Sequence, residues 1–340
     1  MNTIKPLEFN IKFVTPLLIG GANNHVDENG LSGKALRGCW RFWFRAMVGG
    51  MMKEINKKDL ISLENRIFGS ADNDIGAKFR LNVLKLDKYE HEKFILGFMR
   101  NGQEQKKYGF SEGSSYSITI IPRETKWEDE MNILFSTIWL WGNLGSVGNR
   151  ERRGFGSPVI CLKSGSDDHI TLQNSDKTTI TLPIKEHPFK DSKELKDHLK
   201  KGLSSVWSFY EHWVKANKVN TIDKNIENLP DPIDAPYYIL QSLEQVCVGN
   251  LSYFDGGDAI RAVHGRSNCD ELGWAIPDRM ASPVFFRFHD VKRNSQVEYL
   301  PMFTWCKQDV HDKDCARNYL TNISIDRKKV FTENLIGKSI

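Results

Sequence analysis

Features that mark several large classes of protein are missing from this chain of 340 residues. Its six cysteines form no Cys-x-x-Cys pair, and their spacing favours neither a disulfide framework nor a zinc ribbon. The most apolar stretch, residues 131–141, is much shorter than the ~20 residues that a membrane-spanning helix needs. The first residues also lack the basic and then apolar pattern of a secretory signal. We therefore expect a cytoplasmic protein without a membrane partner.

Ligands for a metal or an organic cofactor are also scarce. Cys306, His311 and Cys315 supply three potential metal ligands, but no fourth accompanies them and their spacing fits no standard zinc finger. The glycine-rich segment near residue 150 is not followed by the Gly-Lys-Ser/Thr of a phosphate-binding P-loop. The sequence therefore predicts no metal site and no cofactor.

The apolar pattern predicts an α+β fold made of two domains. In the first, residues 1–165, alternating and helical periodicities follow the order β-α-β-β-α-β, which is the order of a ferredoxin-like, or RRM-like, unit. Its predicted elements are strands at 7–13, 78–85, 116–121 and 157–162, and helices at 34–47 and 128–141. The two glycines at positions 49 and 50 are expected to stop the first helix.

The second domain, residues 166–340, is predicted to be a degenerate unit of the same class with a helical insertion, packed against the first. A polar, turn-rich stretch at 164–178 marks the boundary, and three prolines make residues 228–236 an irregular connector. The predicted elements are a strand at 179–184, a helix at 192–216, a hairpin with strands at 284–289 and 297–303, and a helix near 315–321.

A net charge of only +4 means that a nucleic-acid surface must come from local basic clusters. The first such cluster is a stripe along the helix that follows Ser32, a residue suited to the N-cap. Residues 31–50 include no acid, so the like charges repel one another and a polyanion would relieve the repulsion. We predict that this stripe binds RNA, although a solvated surface face is the alternative. Its members are Lys34, Arg37, Arg41 and Arg45. The aromatic stripe on the opposite side is expected to be core: Trp40, Trp43 and Phe44.

The second basic cluster is a loop at residues 141–157 with five glycines and three arginines. Glycine lets backbone N–H groups approach an anion closely, and an aromatic ring between two glycines is placed to stack on a base. A flexible surface loop without function is the alternative. The predicted RNA-binding residues of the loop are Asn149, Arg150, Arg152, Arg153 and Phe155.

Four segments together resemble the CRISPR-associated RAMP superfamily, and within it the first Cmr family. They are residues 14–21 (VTPLLIGG), 36–46 (LRGCWRFWFRA), 152–157 (RRGFGS) and 279–283 (RMASP), the last adding Arg279 to the expected RNA contacts. The resemblance implies a non-catalytic RNA-binding subunit of a type III-B CRISPR effector complex. Such a subunit would contact the 3′ region of the CRISPR RNA, help to capture target single-stranded RNA, and lie beside neighbouring RAMP subunits.

Two other functions stay open from the sequence. The first is a metal-independent endoribonuclease that processes CRISPR RNA, for which His25, near Lys34 in the chain, is the only candidate for acid–base catalysis. The pair His289-Asp290 lacks the further histidine and aspartate of a metal phosphohydrolase. The second is a structural scaffold subunit, which would have no RNA affinity of its own.

Overall fold

The computed structural model describes most of residues 6–220 together with three shorter stretches of the second half. The described residues are 6–20, 27, 29–52, 57–71, 74–88, 91–100, 102–124, 127–162, 169–177, 179–185, 188–220, 239–240, 284–293 and 296–305. Their fold is a mixed α+β arrangement with antiparallel sheets, as the sequence predicts. None of the helices in this part of the chain is long and apolar enough to cross a membrane.

The bounds of the elements agree closely with the predicted ones in most places. The helices are α1 (Gly33–Met51), α2 (Lys57–Phe68), α3 (Glu128–Leu144) and α4 (Ser192–Ala216). The strands are β1 (Leu7–Phe13), β2 (Phe79–Lys85), β3 (His91–Arg100), β4 (Gln103–Phe110), β5 (Ser115–Pro122), β6 (Pro158–Leu162), β7 (His169–Gln173), β8 (Thr179–Pro183), β9 (Ile239–Leu240), β10 (Val284–Arg293) and β11 (Gln296–Trp305).

A four-stranded antiparallel sheet organises the first part of the chain, with strand order β2-β5-β1-β6. From Phe9 onward, every second residue of β1 is fully buried, because alternate side chains of a strand point to the same face. Those residues are Phe9, Ile11 and Phe13. The core that they help to form also includes buried side chains of α1 and α3.

Several elements escaped the sequence prediction. These are α2 and the β3–β4 hairpin, both inserted between predicted elements, and strands β7 and β9. Helix α1 also continues through Gly49 and Gly50 to Met51, so the predicted stop was wrong. Both glycines are buried, and packing here outweighs the ~1 kcal/mol by which glycine disfavours a helix relative to alanine.

The described part of the second half packs onto the first. Tyr210 of α4 is fully buried and hydrogen-bonds through its hydroxyl to Thr137 of α3, while the Trp139 indole N–H donates to the Pro183 carbonyl at 2.7 Å. Strands β10 and β11 form the predicted hairpin. The proline-rich connector and the helix near residue 318 lie outside the described residues, and the domain boundary near residue 165 stays a prediction.

Candidate nucleic-acid interface

Helix α1 begins where the sequence places it. Ser32 has extended backbone angles and its hydroxyl accepts a hydrogen bond from the Ala35 N–H at 3.2 Å, which is the N-cap arrangement. Trp40, Trp43 and Phe44 are at most 1% exposed, so the aromatic stripe is core, as predicted. This packing turns the basic stripe away from the core.

The basic stripe is balanced by an acid from another helix. Glu64 of α2 is buried and accepts from Arg41 at 2.8 Å and from Arg45 at 3.0 Å. Arg41 also donates to the carbonyls of Phe68 and Gly69, at 3.0 and 2.6 Å. The premise that the repulsion along the stripe lacks a counter-charge was therefore wrong, because that premise considered only acids close in sequence.

The N-terminal half of the stripe has a different environment. Arg37 donates to the Phe79 carbonyl at 3.4 Å and lies 5.0 Å from the centroid of that ring. Burial, together with the charges of Arg123 and Arg41, lowers the pKa of Arg37. Lys34, in the first turn of α1, is exposed. The stripe thus combines an exposed lysine with three arginines that also support the packing of α1.

Replacing Glu64 with glutamine should lower the free energy of unfolding by about 1–3 kcal/mol. Removing one partner of a fully buried ion pair costs ~3–5 kcal/mol. The expected loss for Glu64→Gln is smaller than that, because solvent screens this ion pair. Such screening applies because the two arginine side chains are 32% and 43% exposed. Urea unfolding followed by circular dichroism would measure the change.

The matched control is Glu124→Gln, because the carboxylate of Glu124 pairs with Lys78 but is 51% exposed. We expect that control to change the free energy of unfolding by less than ~1 kcal/mol. Equal effects of the two substitutions would show that Glu64 is not the counter-charge on which α1 depends.

The glycine/arginine loop, residues 145–157, is held in place by backbone hydrogen bonds. The Asn149 N–H donates to the Leu18 carbonyl at 2.7 Å, and the Gly156 N–H donates to the Pro16 carbonyl at 2.9 Å. Within the loop, the Val147 N–H donates to the Gly156 carbonyl at 3.0 Å. The loop is therefore an ordered layer over the segment that follows β1, and not the unstructured connection that the alternative interpretation assumed.

Three glycines of this loop are favoured by backbone geometry. Gly148, Gly154 and Gly156 have φ angles of +98°, +87° and +65°, a region that residues with a side chain rarely adopt. A Cβ atom added at Gly148 would meet the Leu18 carbonyl oxygen at 2.7 Å. These glycines allow the loop to approach the segment after β1, which explains their presence without any anion.

A buried arginine from the second half supports the loop from below. Arg287 of β10 is fully buried, and its guanidinium donates to the carbonyls of Gly142, Gly145 and Pro158 at 2.7, 3.0 and 2.8 Å. Burial lowers the pKa of Arg287. The arginine thereby connects β10 with the end of α3, the start of the loop and β6.

Four groups at the outer side of the loop form what we call the loop cluster: Gly20, Lys107, Asn149 and Arg150. The side-chain oxygen of Asn149, when it faces Lys107 and Gly20, accepts from the Lys107 ammonium at 2.8 Å and from the Gly20 N–H at 3.3 Å. Burial, and then the charge of Arg150, lowers the pKa of Lys107. The cluster thus gathers two cations, a backbone N–H and an amide, which are groups that bind phosphate.

The backbone of Arg150 has an unusual conformation. Its φ of 63° and ψ of 27° lie in the left-handed region, where a residue other than glycine or asparagine is uncommon. Lys177 and Lys218 have similar φ angles of 69° and 63°, so this conformation does not by itself assign a function to Arg150. The case for Arg150 rests on its place beside Lys107.

Two other loop residues have roles that differ from the predicted ones. Phe155 is only 2% exposed and packs with Leu18 and Phe94 in a small core cluster. The predicted stacking of Phe155 on a base was therefore wrong, because its ring is already covered by protein. The Arg152 guanidinium lies 4.4 Å from the ring centroid of Phe285 and 5.4 Å from that of Phe42. Arg153 ends a short 3-10 turn at Glu151–Arg153.

Two predicted site residues, His25 and Arg279, lie outside the described residues. His289 is 2% exposed, its ring Nε2 faces the Asn143 carbonyl at 2.9 Å, and burial lowers its pKa well below the usual value. A histidine enclosed in this way is part of the packing between β10 and α3, so the His289-Asp290 pair gives no support to an enzyme.

Sequence reasoning missed three residues of this region. Lys107 lies in the unpredicted strand β4, and its only signal was the adjacent Lys106. Glu64 lies in the unpredicted helix α2. Arg287 gave no signal, because an arginine that alternates with phenylalanines in a strand is typical of an exposed position.

Comparisons with known proteins bear on these two segments directly. The family model described as the RAMP superfamily matches residues 10–159. This segment of the chain is similar to RAMP superfamily proteins. It contains α1, the loop cluster and the whole glycine/arginine loop, so both basic segments lie within the matched residues.

Two curated relatives, both from Pyrococcus furiosus, also match this chain. CRISPR system Cmr subunit Cmr1-2 is 27% identical over an alignment of 177 residues that covers 44% of this chain and 91% of the relative. CRISPR system Cmr subunit Cmr1-1 is 26% identical over an alignment of 179 residues that covers 50% of this chain and 48% of that relative. The resemblance to the first Cmr family is confirmed by these matches.

Solved structures share the fold over nearly the whole chain. The crystal structure of Cmr1 from Pyrococcus furiosus in its apo form has a TM-score of 0.54 at 16% identity and covers 95% of this chain and 97% of its own. A chain of the type III-B Cmr-beta complex bound to cognate target RNA and AMPPnP has a TM-score of 0.56 at 13% identity, with coverage of 96% and 99%. At these identities the likeness shows the fold alone.

Proposed function

We propose that this chain is a non-catalytic RNA-binding subunit of a type III-B CRISPR effector complex. In this role it contacts the 3′ region of the CRISPR RNA, helps to capture target single-stranded RNA, and lies beside other RAMP subunits. The loop cluster is the observation that carries the proposal, because Asn149 holds the Lys107 ammonium at 2.8 Å and the Gly20 N–H at 3.3 Å. Arg150 adds a second cation, whose charge, after burial, lowers the pKa of Lys107. A phosphate between them would offset that repulsion.

The comparisons with known proteins support the proposal that this chain works within a Cmr complex. Both curated relatives are named as Cmr subunits. Chains with the same fold occur in Cmr-beta complexes bound to cognate target RNA. The match to the RAMP family model also covers both basic segments.

We also propose that the chain is built from two ferredoxin-like units. In the first, β1, α1, β2, β5, α3 and β6 follow the order β-α-β-β-α-β, and the sheet order β2-β5-β1-β6 places the last strand beside the first. In the second, helix α4 and the β10–β11 hairpin are elements that a degenerate unit of this class would retain.

The free chain should bind single-stranded RNA weakly and with a strong dependence on salt. The stripe and the loop cluster together offer only a few phosphate contacts, which corresponds to a dissociation constant of about micromolar or weaker at physiological salt. Each contact contributes about −0.7 to the slope of log affinity against log salt for a single strand. Fluorescence anisotropy of a labelled RNA between low and physiological salt would measure both quantities.

A pair of lysine variants gives this measurement its control. Lys34→Ala should reduce the slope by one unit or less and weaken all RNA sequences equally, as expected for a phosphate contact. Lys177→Ala, an exposed lysine in the turn between β7 and β8, should change neither quantity. The RNA should also stay intact during the titration, with or without Mg²⁺ or Mn²⁺. No binding at low salt would favour the scaffold, and cleavage would favour the endoribonuclease.

A further inference from the structure

A cavity between α1, the glycine/arginine loop and β10 has no role in the phosphate-binding interface. Its volume is about 310 Å³. This size is at the lower end for pockets that hold small organic molecules. The cavity therefore has room for one compact ring system and not for a larger ligand.

Aromatic side chains form the apolar part of its wall. The rings of Phe42, Trp43 and Phe285 line the cavity, and their centroids lie between 5.1 and 5.7 Å from one another. Arg152 covers two of these rings, at 4.4 Å from Phe285 and 5.4 Å from Phe42. Aromatic rings together with an arginine plane are the surroundings in which proteins hold unstacked bases.

A missing side chain keeps the cavity open. Gly38 lies inside α1, where a glycine weakens the helix and other residues would be preferred. A Cβ atom added at Gly38 would meet no atom of the described residues within 4 Å, so the packing of this part of the chain does not require glycine here. The empty space at Gly38 is part of the cavity itself.

The polar groups of the cavity are only partly satisfied within the described structure. The Cys39 thiol donates to the Glu151 carboxylate at 3.7 Å, and burial raises the pKa of Glu151. Ser146 is 2% exposed, and its hydroxyl has no hydrogen-bond partner among the residues that the structure describes. Buried hydroxyl groups are nearly always paired, so this one points to a ligand with a complementary polar atom.

We propose that this cavity binds one guanine base. Guanine presents two neighbouring N–H donors, N1–H and N2–H, which match the two oxygens of the Glu151 carboxylate. Its O6 atom, next to those donors, is an acceptor for a hydroxyl such as that of Ser146. Adenine, cytosine and uracil do not offer two adjacent donor positions beside an acceptor in this order.

Helical spacing connects the cavity with the proposed interface. Lys34 and Gly38 are four residues apart and thus neighbours on one face of α1. The phosphate of a nucleotide whose base enters at Gly38 would therefore lie near the Lys34 ammonium. This step rests on the proposed RNA-binding function, whereas the fit of the guanine ring rests on the cavity alone.

Three ligands separate the two proposals experimentally. A pentamer of uridine tests the phosphate interface, the same pentamer with one central guanine adds the base, and guanosine monophosphate tests the base without RNA. By calorimetry at low salt, we expect the guanine-containing pentamer to bind at least tenfold more tightly than the uridine pentamer. If guanosine monophosphate binds as tightly as that pentamer, the guanine is supplied by a free nucleotide.

Two variants test whether the preference for guanine arises in the cavity. Gly38→Leu fills it from a helical position that tolerates a larger residue, and Glu151→Gln removes the carboxylate while keeping its shape. Each should abolish the tenfold preference for guanine and leave the binding of the uridine pentamer unchanged. Ser62→Leu, which adds leucine at an exposed position of α2, should retain the preference.

The outcomes are distinct for the two proposals. Binding of both pentamers with equal affinity, and no binding of guanosine monophosphate, would overturn the guanine site and leave the RNA-binding function standing. Failure of both pentamers together with binding of guanosine monophosphate would keep the guanine site and overturn the RNA interface. An unchanged preference in a folded Gly38→Leu variant would show that guanine binds elsewhere, which overturns the proposal.

Discussion

Replacing Arg287 with methionine should lower the free energy of unfolding by about 3 kcal/mol. Each buried acceptor that loses its hydrogen bond costs ~1–3 kcal/mol. Removing a buried charge is itself favourable and offsets part of that cost. The acceptors are the carbonyls of Gly142, Gly145 and Pro158, which now receive hydrogen bonds at 2.7–3.0 Å. Methionine fills most of the volume, so the change reports mainly on polar groups. Urea unfolding would measure it.

A control arginine distinguishes this buried role from a general effect of charge. Arg80 of β2 is exposed, and Arg80→Met should change the free energy of unfolding by less than ~0.5 kcal/mol. Arg287→Met should also weaken RNA binding, because Gly145 starts the loop that carries Arg150. A fully stable Arg287→Met protein would mean that the loop is held by its backbone hydrogen bonds alone.

Reversing both charges of the loop cluster should lower the affinity of the free chain for single-stranded RNA by at least about tenfold at low salt. The variant is Lys107→Glu with Arg150→Glu, which places two carboxylates where the proposal places a phosphate. Both side chains are partly exposed, so the fold should tolerate the change. Fluorescence anisotropy, with circular dichroism to check the fold, would measure the loss.

The matched control reverses two exposed lysines of α4, Lys200→Glu with Lys201→Glu. It changes the net charge by the same amount but lies away from the loop. We expect this control to weaken RNA binding by less than threefold, through long-range charge only. If both double variants lose affinity equally, the loop cluster is not a binding site and only the overall charge matters.

The first sheet was predictable because local signals there agree with the tertiary structure. Alternation of apolar residues in β1 gives the buried row at Phe9, Ile11 and Phe13, and the polar cap at Ser32 starts α1. The aromatic stripe of α1 was also identified as core, since helical periodicity separates it from the arginines. Both segments proposed to bind RNA could also be located from the sequence, the first by helical periodicity and the second by its glycine and arginine content.

The roles of single residues in the site depended on contacts that the sequence does not reveal. Glu64 is 23 residues from Arg41 in the chain, and Arg287 is 142 residues from Gly145. Phe155 looked like an exposed stacking residue between glycines, yet the segment after β1 and the β3 strand cover it. Arrangements of this kind become visible only once the sheet and the inserted helix are in place.

The most direct test of the RNA-binding account is the affinity of the assembled effector complex for its target RNA, measured with and without this chain. When several subunits bind along one RNA, the effective concentration of each weak contact rises. The affinity of the complex for target RNA can therefore increase about a hundredfold without any new interaction. We predict tighter target binding when the chain is present, and loss of that gain with the Lys107→Glu, Arg150→Glu variant, while assembly is unchanged. Equal affinity of the complexes with and without the chain would contradict the account.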